Sequence, residues 1–375
     1  MTVTALTPQQ ARAARLHSML LGSDRTSAPD DVAGVVRWFG AMQAQEYASG
    51  LWSFGVRLPG RSLADVEQAL EEREALRTWP MRGTVHFVPS RDAHWMLEIL
   101  GERPLAGAEK RREFLGLPAS VADHAVDVLG GALVGGGRLT RKQCIEALEA
   151  AGISGAGQRG YHLLWYASQR GVTCIAPNVD GEQTFVLLDE WVPDPVRPDR
   201  DEALALLALR YFRSHGPARL QDLAGWTGLP ITQVRRAAAA CGDALVEVTV
   251  DGVVMLMTPE ALDASAASVP ALRRSVWALP GFDEYLLGVK DRSLVLGPGE
   301  LEHVVPGGNG MFRATVVQAG EVVATWKRGT TTRRGLSLDV WPLRPASPSF
   351  RKAAERALQP YGSFVGTPLT VRWPD

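Results

Sequence analysis

The sequence predicts an α+β protein made of three tandem winged helix-turn-helix modules followed by a small β-barrel-like domain. Three observations carry this. One order of events, a helix, a turn, a second helix and then alternating apolar strands around a polar tip, recurs three times along the chain. Pro193, Pro195 and Pro198 keep a linker extended between the second and third copies. From about Ser275 the helical spacing gives way to short strand-like runs around Gly-rich turns. The boundaries that follow are 1–115, 116–195, 196–270 and 271–375.

In the first module Val32, Val35, Val36 and Phe39 recur at helical spacing, Ser62 and Asp65 form a capping pair opening a helix over 63–74, and 76–88 read as wing strands. In the second, Thr140 and Gln143 match a capping box, a further helix covers about 161–169, and 172–188 fold as a hairpin turning at Asp180-Gly181. In the third, a helix over 202–214 stops at His215-Gly216-Pro217, 220–226 and 231–240 form the helical pair, and Asp251-Gly252 turns the hairpin. The last domain offers strands at 313–317, 322–327 and 336–341 and a late helix at 349–358.

The bulk properties narrow the class. With 375 residues, 46% hydrophobic and 22% charged, the chain is an ordinary globular protein of two to four packed modules. No apolar run nears the roughly 20 residues that span a bilayer, and residues 1–10 lack a signal-peptide pattern, so a cytoplasmic protein is expected. Cys144, Cys174 and Cys241 are widely spaced, which points to buried thiols rather than a disulfide framework or a zinc ribbon. There is no GxxxxGK, HExxH or GxGxxG segment, so nucleotide hydrolysis and zinc proteolysis have no support, and no metal or cofactor is expected. A net charge of -1 gives no global attraction to polyanions; local clusters must carry any phosphate contact.

The segment richest in chemistry is Ala41 to Tyr47, AMQAQEY, where the helix from Asp31 ends. Gln43 and Gln45 lie two residues apart. On a continuous helix they would point about 200° apart, whereas in an extended stretch both project to one side, so convergence on one ligand requires a local break. Each amide offers two donors and an acceptor without titrating, and a pair of them can hold a water beside a reacting carbon. The plainer alternative is a pair of polar residues capping a helix end. Glu46, the nearest carboxylate, is expected to face solvent.

Basic residues cluster locally. Arg82, Thr84 and His86 alternate on a wing strand and, if extended, share one face able to meet phosphate; the alternative is a satisfied core face under Trp79. Lys327, Arg328, Arg333 and Arg334 flank a Thr-rich turn, with Lys290 and Arg292 as a second patch; phosphate neutralisation and a solvated charged loop are the two readings. The acidic run Asp65, Glu67, Glu71, Glu72 and Glu74 argues against groove insertion by the first module, which favours recognition by wings over sequence reading. Lys110-Arg111-Arg112 and Arg235-Arg236 read as decoration of exposed helix faces, and Trp38, Trp79, Trp165, Trp226, Trp277 and Trp341 as core.

These segments resemble one family throughout the chain. The text around Gln43 and Gln45 is similar to the QxQ segment of AlkZ/YcaQ-like winged-helix DNA glycosylases. Arg77 to Val88, RTWPMRGTVHFV, resembles the family's R-x-W-x-M-R-G-T-x-H wing, and His215-Gly216-Pro217 with Trp226 resembles its third winged helix. Pro280 to Arg292, PGFDEYLLGVKDR, is similar to its PAFDEYLLGYKDR block, and Asn309 to Arg313 with Thr325 to Arg328 resemble its C-terminal strands. YcaQ-type members carry an aspartate at the second position of the pair; Gln45 here resembles the AlkZ-like branch.

The resemblance implies a C-shaped protein holding duplex DNA, hydrolysis of the N-glycosidic bond of alkylated purines, and a catalytic role for Gln43 and Gln45. Alkylation at N7 or N3 makes the purine a cationic leaving group, so positioning and charge stabilisation suffice without a strong base. A metal-independent monofunctional reaction is expected, by a monomer whose partner is duplex DNA carrying alkylated bases, with no obligate protein partner. A non-catalytic winged-helix DNA-binding or regulatory protein, and a winged-helix scaffold that binds protein, are the competing readings, since a fold does not dictate a function.

Overall fold

The computed structural model describes residues 3–22, 28–333 and 335–374, and it is a mixed α+β protein. The chain opens with β1 (Thr4–Leu6) and α1 (Pro8–Ser18), whose first turn is closed by a reciprocal capping box between Thr7 and Gln10. Helix α2 (Val32–Phe39), capped by Asp31, buries Val32, Val35, Val36 and Phe39 along one stripe and stops at Gly40, whose φ of 80° continues no right-handed helix. A two-residue strand β2 (Met42–Gln43), then α3 (Tyr47–Gly55) and α4 (Leu63–Glu71), lead to the hairpin β3 (Ala75–Met81) and β4 (Thr84–Pro89). Helices α5 (Ala93–Phe114) and α6 (Ala119–Leu133), strand β5 (Leu139–Thr140), and helices α7 (Arg141–Ala150) and α8 (Arg159–Gln169) lead to the hairpin β6 (Thr173–Val179) and β7 (Glu182–Leu187). The short α9 (Leu188–Trp191) is followed by α10 (Arg200–His215), α11 (Leu220–Thr227), α12 (Ile231–Ala240) and the hairpin β8 (Val246–Val250) and β9 (Val253–Met257). Then come α13 (Pro259–Ala267), α14 (Val269–Leu272), β10 (Val276–Leu279), α15 (Glu284–Leu287), α16 (Leu301–Val304), β11 (Ala314–Gln318), β12 (Glu321–Thr332), β13 (Gly335–Pro342), α17 (Pro348–Phe364) and β14 (Leu369–Arg372).

Local signals landed where they were expected. Ser62 and Asp65 bond reciprocally ahead of α4, and Thr140 with Gln143 closes the first turn of α7. Asp180-Gly181 and Asp251-Gly252 both have positive φ at the two turn positions, the type I′ geometry that matches strand twist. Helix α4 is shorter than expected, ending at Glu71, and α17 is longer, running through Phe364 with Pro360 inside it. Cys144, Cys174 and Cys241 are free thiols, the first two buried and the third half-buried; burial pushes Cys144 up to about 12 and Cys241 to about 11. Among the described residues no helix is long and apolar enough to cross a membrane.

The chain packs into two compact units. The first comprises Met1–Val66, Leu204–Trp226 and Pro230–Asp375; the second comprises Glu67–Ala203 and Thr227–Leu229. In the first unit β1 runs parallel to β8, with Thr4 opposite Val248, so the start of the chain completes the sheet of the β8–β9 hairpin. Leu6, Ala11, Ala14, Val248, Val250, Met257 and Ala261 form the core between that sheet, α1 and α13. Nothing in the sequence pattern signals this pairing.

The C-terminal strands of the first unit form a sheet in the order β10-β11-β12-β13-β14. It is an open sheet, which corrects the expected barrel: β10 pairs with β11, β14 pairs with β13, and the two edges do not meet. The reason is the crossover. Strand β14 returns parallel to β13 through α17, as a parallel connection requires, and the helix packs against the sheet instead of a further strand closing it. Trp52 of α3 lies 5.2 Å from Tyr361 and 5.1 Å from Phe364 of α17, and its Nε1 donates to the carbonyl of Ala278 in β10 at 3.0 Å. Helix α3 is thereby clamped between sheet and helix.

In the second unit the hairpins β3–β4 and β6–β7 join into one sheet, with Arg77 opposite Ile175 and β5 added along β7. The Arg77 guanidinium bonds the carbonyl of Ala176 at 3.0 Å and Asn178 Oδ1 at 2.6 Å across this seam. Arg138 holds Glu71 through two bonds of 2.9 and 2.8 Å, so part of the acidic run is occupied in packing.

Candidate active site

The break that the paired amides require is present. After Gly40 the chain leaves helix α2, Gln43 lies in β2, Gln45 and Glu46 lie in bends, and helix restarts at Tyr47. Glu46 causes the restart: its carboxylate accepts the N–H groups of Ala48 at 3.2 Å and Ser49 at 2.6 Å, satisfying donors that the first turn leaves open and complementing the helix dipole. The expected solvent exposure of Glu46 is therefore accompanied by a capping role.

Gln43 is buried and Gln45 exposed. Gln43 is held by its backbone, whose N–H donates to Glu284 Oε1 at 2.8 Å. The other carboxylate oxygen accepts from Trp226 Nε1 at 3.0 Å and lies 3.2 Å from His215 Nε2. His215 stacks on Tyr211 at 4.5 Å, and its Nδ1 lies 2.7 Å from Ser214 Oγ. Glu284 and His215 are both almost fully buried, so the carboxylate is tolerated there because three donors surround it. The side-chain Oε1 of Gln43 is buried and has no hydrogen-bond partner among the described residues.

The preceding residue anchors the opposite end of α3. Asp283 forms a two-pronged pair with Arg57 at 2.8 and 2.9 Å, and Arg57 also bonds the carbonyls of Met19 and Ser53 at 3.0 Å. Both side chains are buried. Phe282, just before them, has a left-handed φ of 59°, a conformation costly for an aromatic residue that persists because its neighbours are so tightly held. Asp283, Glu284 and Arg57 carried no assigned role in the sequence. The available signal was two adjacent carboxylates inside the otherwise apolar run GFDEYLLG.

A cleft of about 920 Å³ opens in the first unit beside the start of α3. Glu46, Ser49 and Trp52 line one side; Lys327 and Arg328 of β12, with Arg313 and Trp341, line another. Arg328 hydrogen-bonds Tyr361, whose phenol is pushed upward chiefly by burial. Two of the expected phosphate-binding residues thus share a cleft with the residue that follows Gln45. Arg333 is exposed beyond the end of β12, and Arg334 lies outside the described residues. Trp341 departs from the expected core role: it is 36% exposed and faces the cleft.

The second basic patch divides. Lys290 is exposed, while the Arg292 guanidinium donates to the carbonyls of Leu286 at 2.7 Å and Lys290 at 3.3 Å and lies 5.0 Å over the Phe312 ring. Burial lowers its pKa. Arg292 is therefore engaged in holding backbone carbonyls and the Phe312 ring, unlike a freely solvated cation.

In the second unit Arg82, Thr84 and His86 do not form one strand face. Arg82 and Gly83 are the turn, with φ of 53° and 71°, because a two-residue hairpin needs both positions left-handed; Arg82 is exposed at the tip. Thr84 and His86 alone alternate on β4. Thr84 is half-buried, and His86 is fully buried with Nδ1 2.9 Å from the carbonyl oxygen of Thr84.

The fold finds its counterpart among DNA glycosylases. A solved structure of Streptomyces sahachiroi DNA glycosylase AlkZ matches with a TM-score of 0.81 at 25% identity, covering 99% of this chain and 100% of that one. An interstrand DNA cross-link repair glycosylase from Streptomyces sahachiroi is 27% identical over 300 residues, 76% of this chain and 79% of its own length. The family model for AlkZ-like DNA glycosylases matches residues 36–364, and the chain belongs to that family.

Proposed function

We propose that this glycosylase hydrolyses the N-glycosidic bond of alkylated purines in duplex DNA, with a water held between the amides of Gln43 and Gln45. The observation that carries the reading is the side-chain Oε1 of Gln43: buried, without a hydrogen-bond partner among the described residues, on a backbone pinned by Glu284. An unsatisfied buried acceptor is costly. A bound water that donates to it removes that cost and is oriented by it. The water adds to C1′ as the cationic base departs, the C–N bond breaks with its electron pair going to the base, and the water's proton is lost to solvent. An abasic site remains.

The three helix–hairpin runs are read as winged helices. Lys327, Arg328 and Arg313 supply positive charge beside Glu46, where the backbone of a damaged strand would pass. The name of the cross-link repair relative extends the substrate reading to two purines joined across the strands, released by two successive hydrolyses.

Base release from duplex DNA carrying N7-alkylguanine, or a crosslink between opposed guanines, tests this with EDTA present. Release by the parent but not by the Gln43→Ala, Gln45→Ala variant is expected. Intact DNA binding with no release from any adduct would favour the non-catalytic winged-helix reading instead, and borohydride trapping of a protein–DNA adduct would refute direct attack by water.

A further inference from the structure

A second cavity, of about 580 Å³, lies wholly within the second unit, between α5, α7 and α8 and beside the β3–β4 turn. Its size falls within the roughly 300–1,000 Å³ of small-molecule sites. Its chemistry differs from that of a packing defect. Tyr161 and Trp165 present aromatic surface, and His162 lies 5.2 Å from Trp165 with the rings 29° from parallel. The imidazole is 7% exposed, and its Nε2 is buried with no hydrogen-bond partner among the described residues.

Two guanidiniums stand at the exposed edge. Arg141 lies 5.4 Å over the Tyr161 ring, and Arg111 bonds the side chain of Gln158. Pro104, Gly107 and Ala108 of α5 line the cavity as well. Gly107 sits inside helix α5, where glycine is less favourable than alanine by about 1 kcal/mol, and no packing requires it: a Cβ built there meets nothing within 4 Å. Gly107 is exposed, so a side chain at this position occupies open space at the cavity edge.

We propose that this cavity is a nucleotide-binding site separate from the Gln43 centre, taking an aromatic base against Tyr161, His162 and Trp165 and its phosphate between Arg111 and Arg141. Aromatic rings stack any base. A guanidinium pair is the side-chain chemistry suited to phosphate, and His162, whose buried Nε2 has no hydrogen-bond partner among the described residues, supplies a polar atom for a ring edge. Burial, with Arg112 and Arg111 adding to it, lowers the imidazole pKa to about 4, so the ring is neutral at pH 7 and does not need a counter-ion from the ligand. Free nucleotide and an unpaired nucleotide within DNA share this chemistry.

The test is quenching of 2-aminopurine fluorescence in two probes, the free 2-aminopurine deoxynucleotide monophosphate and a duplex with one bulged 2-aminopurine. Each is titrated with the full chain and with His162→Phe and Gly107→Leu. The leucine variant keeps falsifiability if the phenylalanine variant folds poorly, since it fills open space on a helix that tolerates it. Saturable quenching weakened at least tenfold by Gly107→Leu supports the site, and the probe that responds identifies the source as free nucleotide or DNA. Absence of quenching with both probes, or quenching unchanged by both variants, overturns it. Base release plays no part in the readout, so the outcome is separable from that of the proposed reaction.

Discussion

The backbone N–H of Gln43 and the Oε1 of Glu284 are 2.8 Å apart although 241 positions separate them in sequence. Through this bond the first residue of the short helix α15 fixes where the chain lies after α2 ends. The carboxylate touches the backbone, so in the proposed reaction Glu284 acts as a positioning residue through Gln43.

Glu284→Gln retains the size of the side chain but leaves one acceptor oxygen, so either the Gln43 N–H or the Trp226 and His215 nitrogens face an amide NH2. We expect the protein to fold, with base release slowed on the order of 100-fold and DNA affinity little changed. Single-turnover base release beside anisotropy titrations checks this; an equal loss in binding and turnover would point to a general structural defect.

Removing one partner of the buried Arg57–Asp283 pair leaves an uncompensated charge, costing about 3–5 kcal/mol. Arg57→Met and Asp283→Asn should each lower the denaturant midpoint sharply. The double variant Arg57→Met, Asp283→Leu should recover part of the loss, because it removes both charges from the same site. A double variant no better than the worse single one would contradict this account.

Lys327→Ala and Arg328→Ala should weaken duplex binding on any sequence and lower the slope of log affinity against log salt by about 0.9 per phosphate contact. Arg292→Ala should leave the slope unchanged and lower thermal stability, since its donors hold the carbonyls of Leu286 and Lys290. Salt titrations of the three variants distinguish the two roles.

His162 supplies a pH signature. Burial, then Arg112 and Arg111, lower its folded pKa from 6.5 to about 4. Between those values the unfolded chain binds a proton that the folded one does not, so stability rises with pH across the window. The contribution is fully present above 6.5 and is lost as pH falls toward 4. His162→Phe should flatten this part of the profile, read as the difference in urea midpoint between wild type and variant at pH 7 and pH 5.

What was legible in the sequence was local. Capping pairs such as Ser62 with Asp65 and Thr140 with Gln143 act across three residues, and Asp-Gly turns act across two, so their geometry follows from nearby backbone alone. The QxQ segment was legible as text, and the requirement for a break after the helix followed from helical geometry; Gly40 and the Glu46 cap supply that break. Arg82 escaped the strand reading because a tight hairpin tip outranks alternation.

The long-range relationships were decided by tertiary structure. The pairing of β1 with β8, the union of two hairpins at Arg77 and Ile175, and the open C-terminal sheet depend on which edges meet after collapse, and strand patterns of period two carry no partner identity. For the same reason Lys327 and Arg292 look alike as letters yet differ in use: one lines a cleft and the other is bound to carbonyls. The α+β class, the capping and hairpin-turn signals and the text of the glutamine pair could be read from the letters alone. That Glu284 holds the backbone of Gln43 follows from packing alone, because a buried carboxylate acquires its meaning from the donors that folding brings to it.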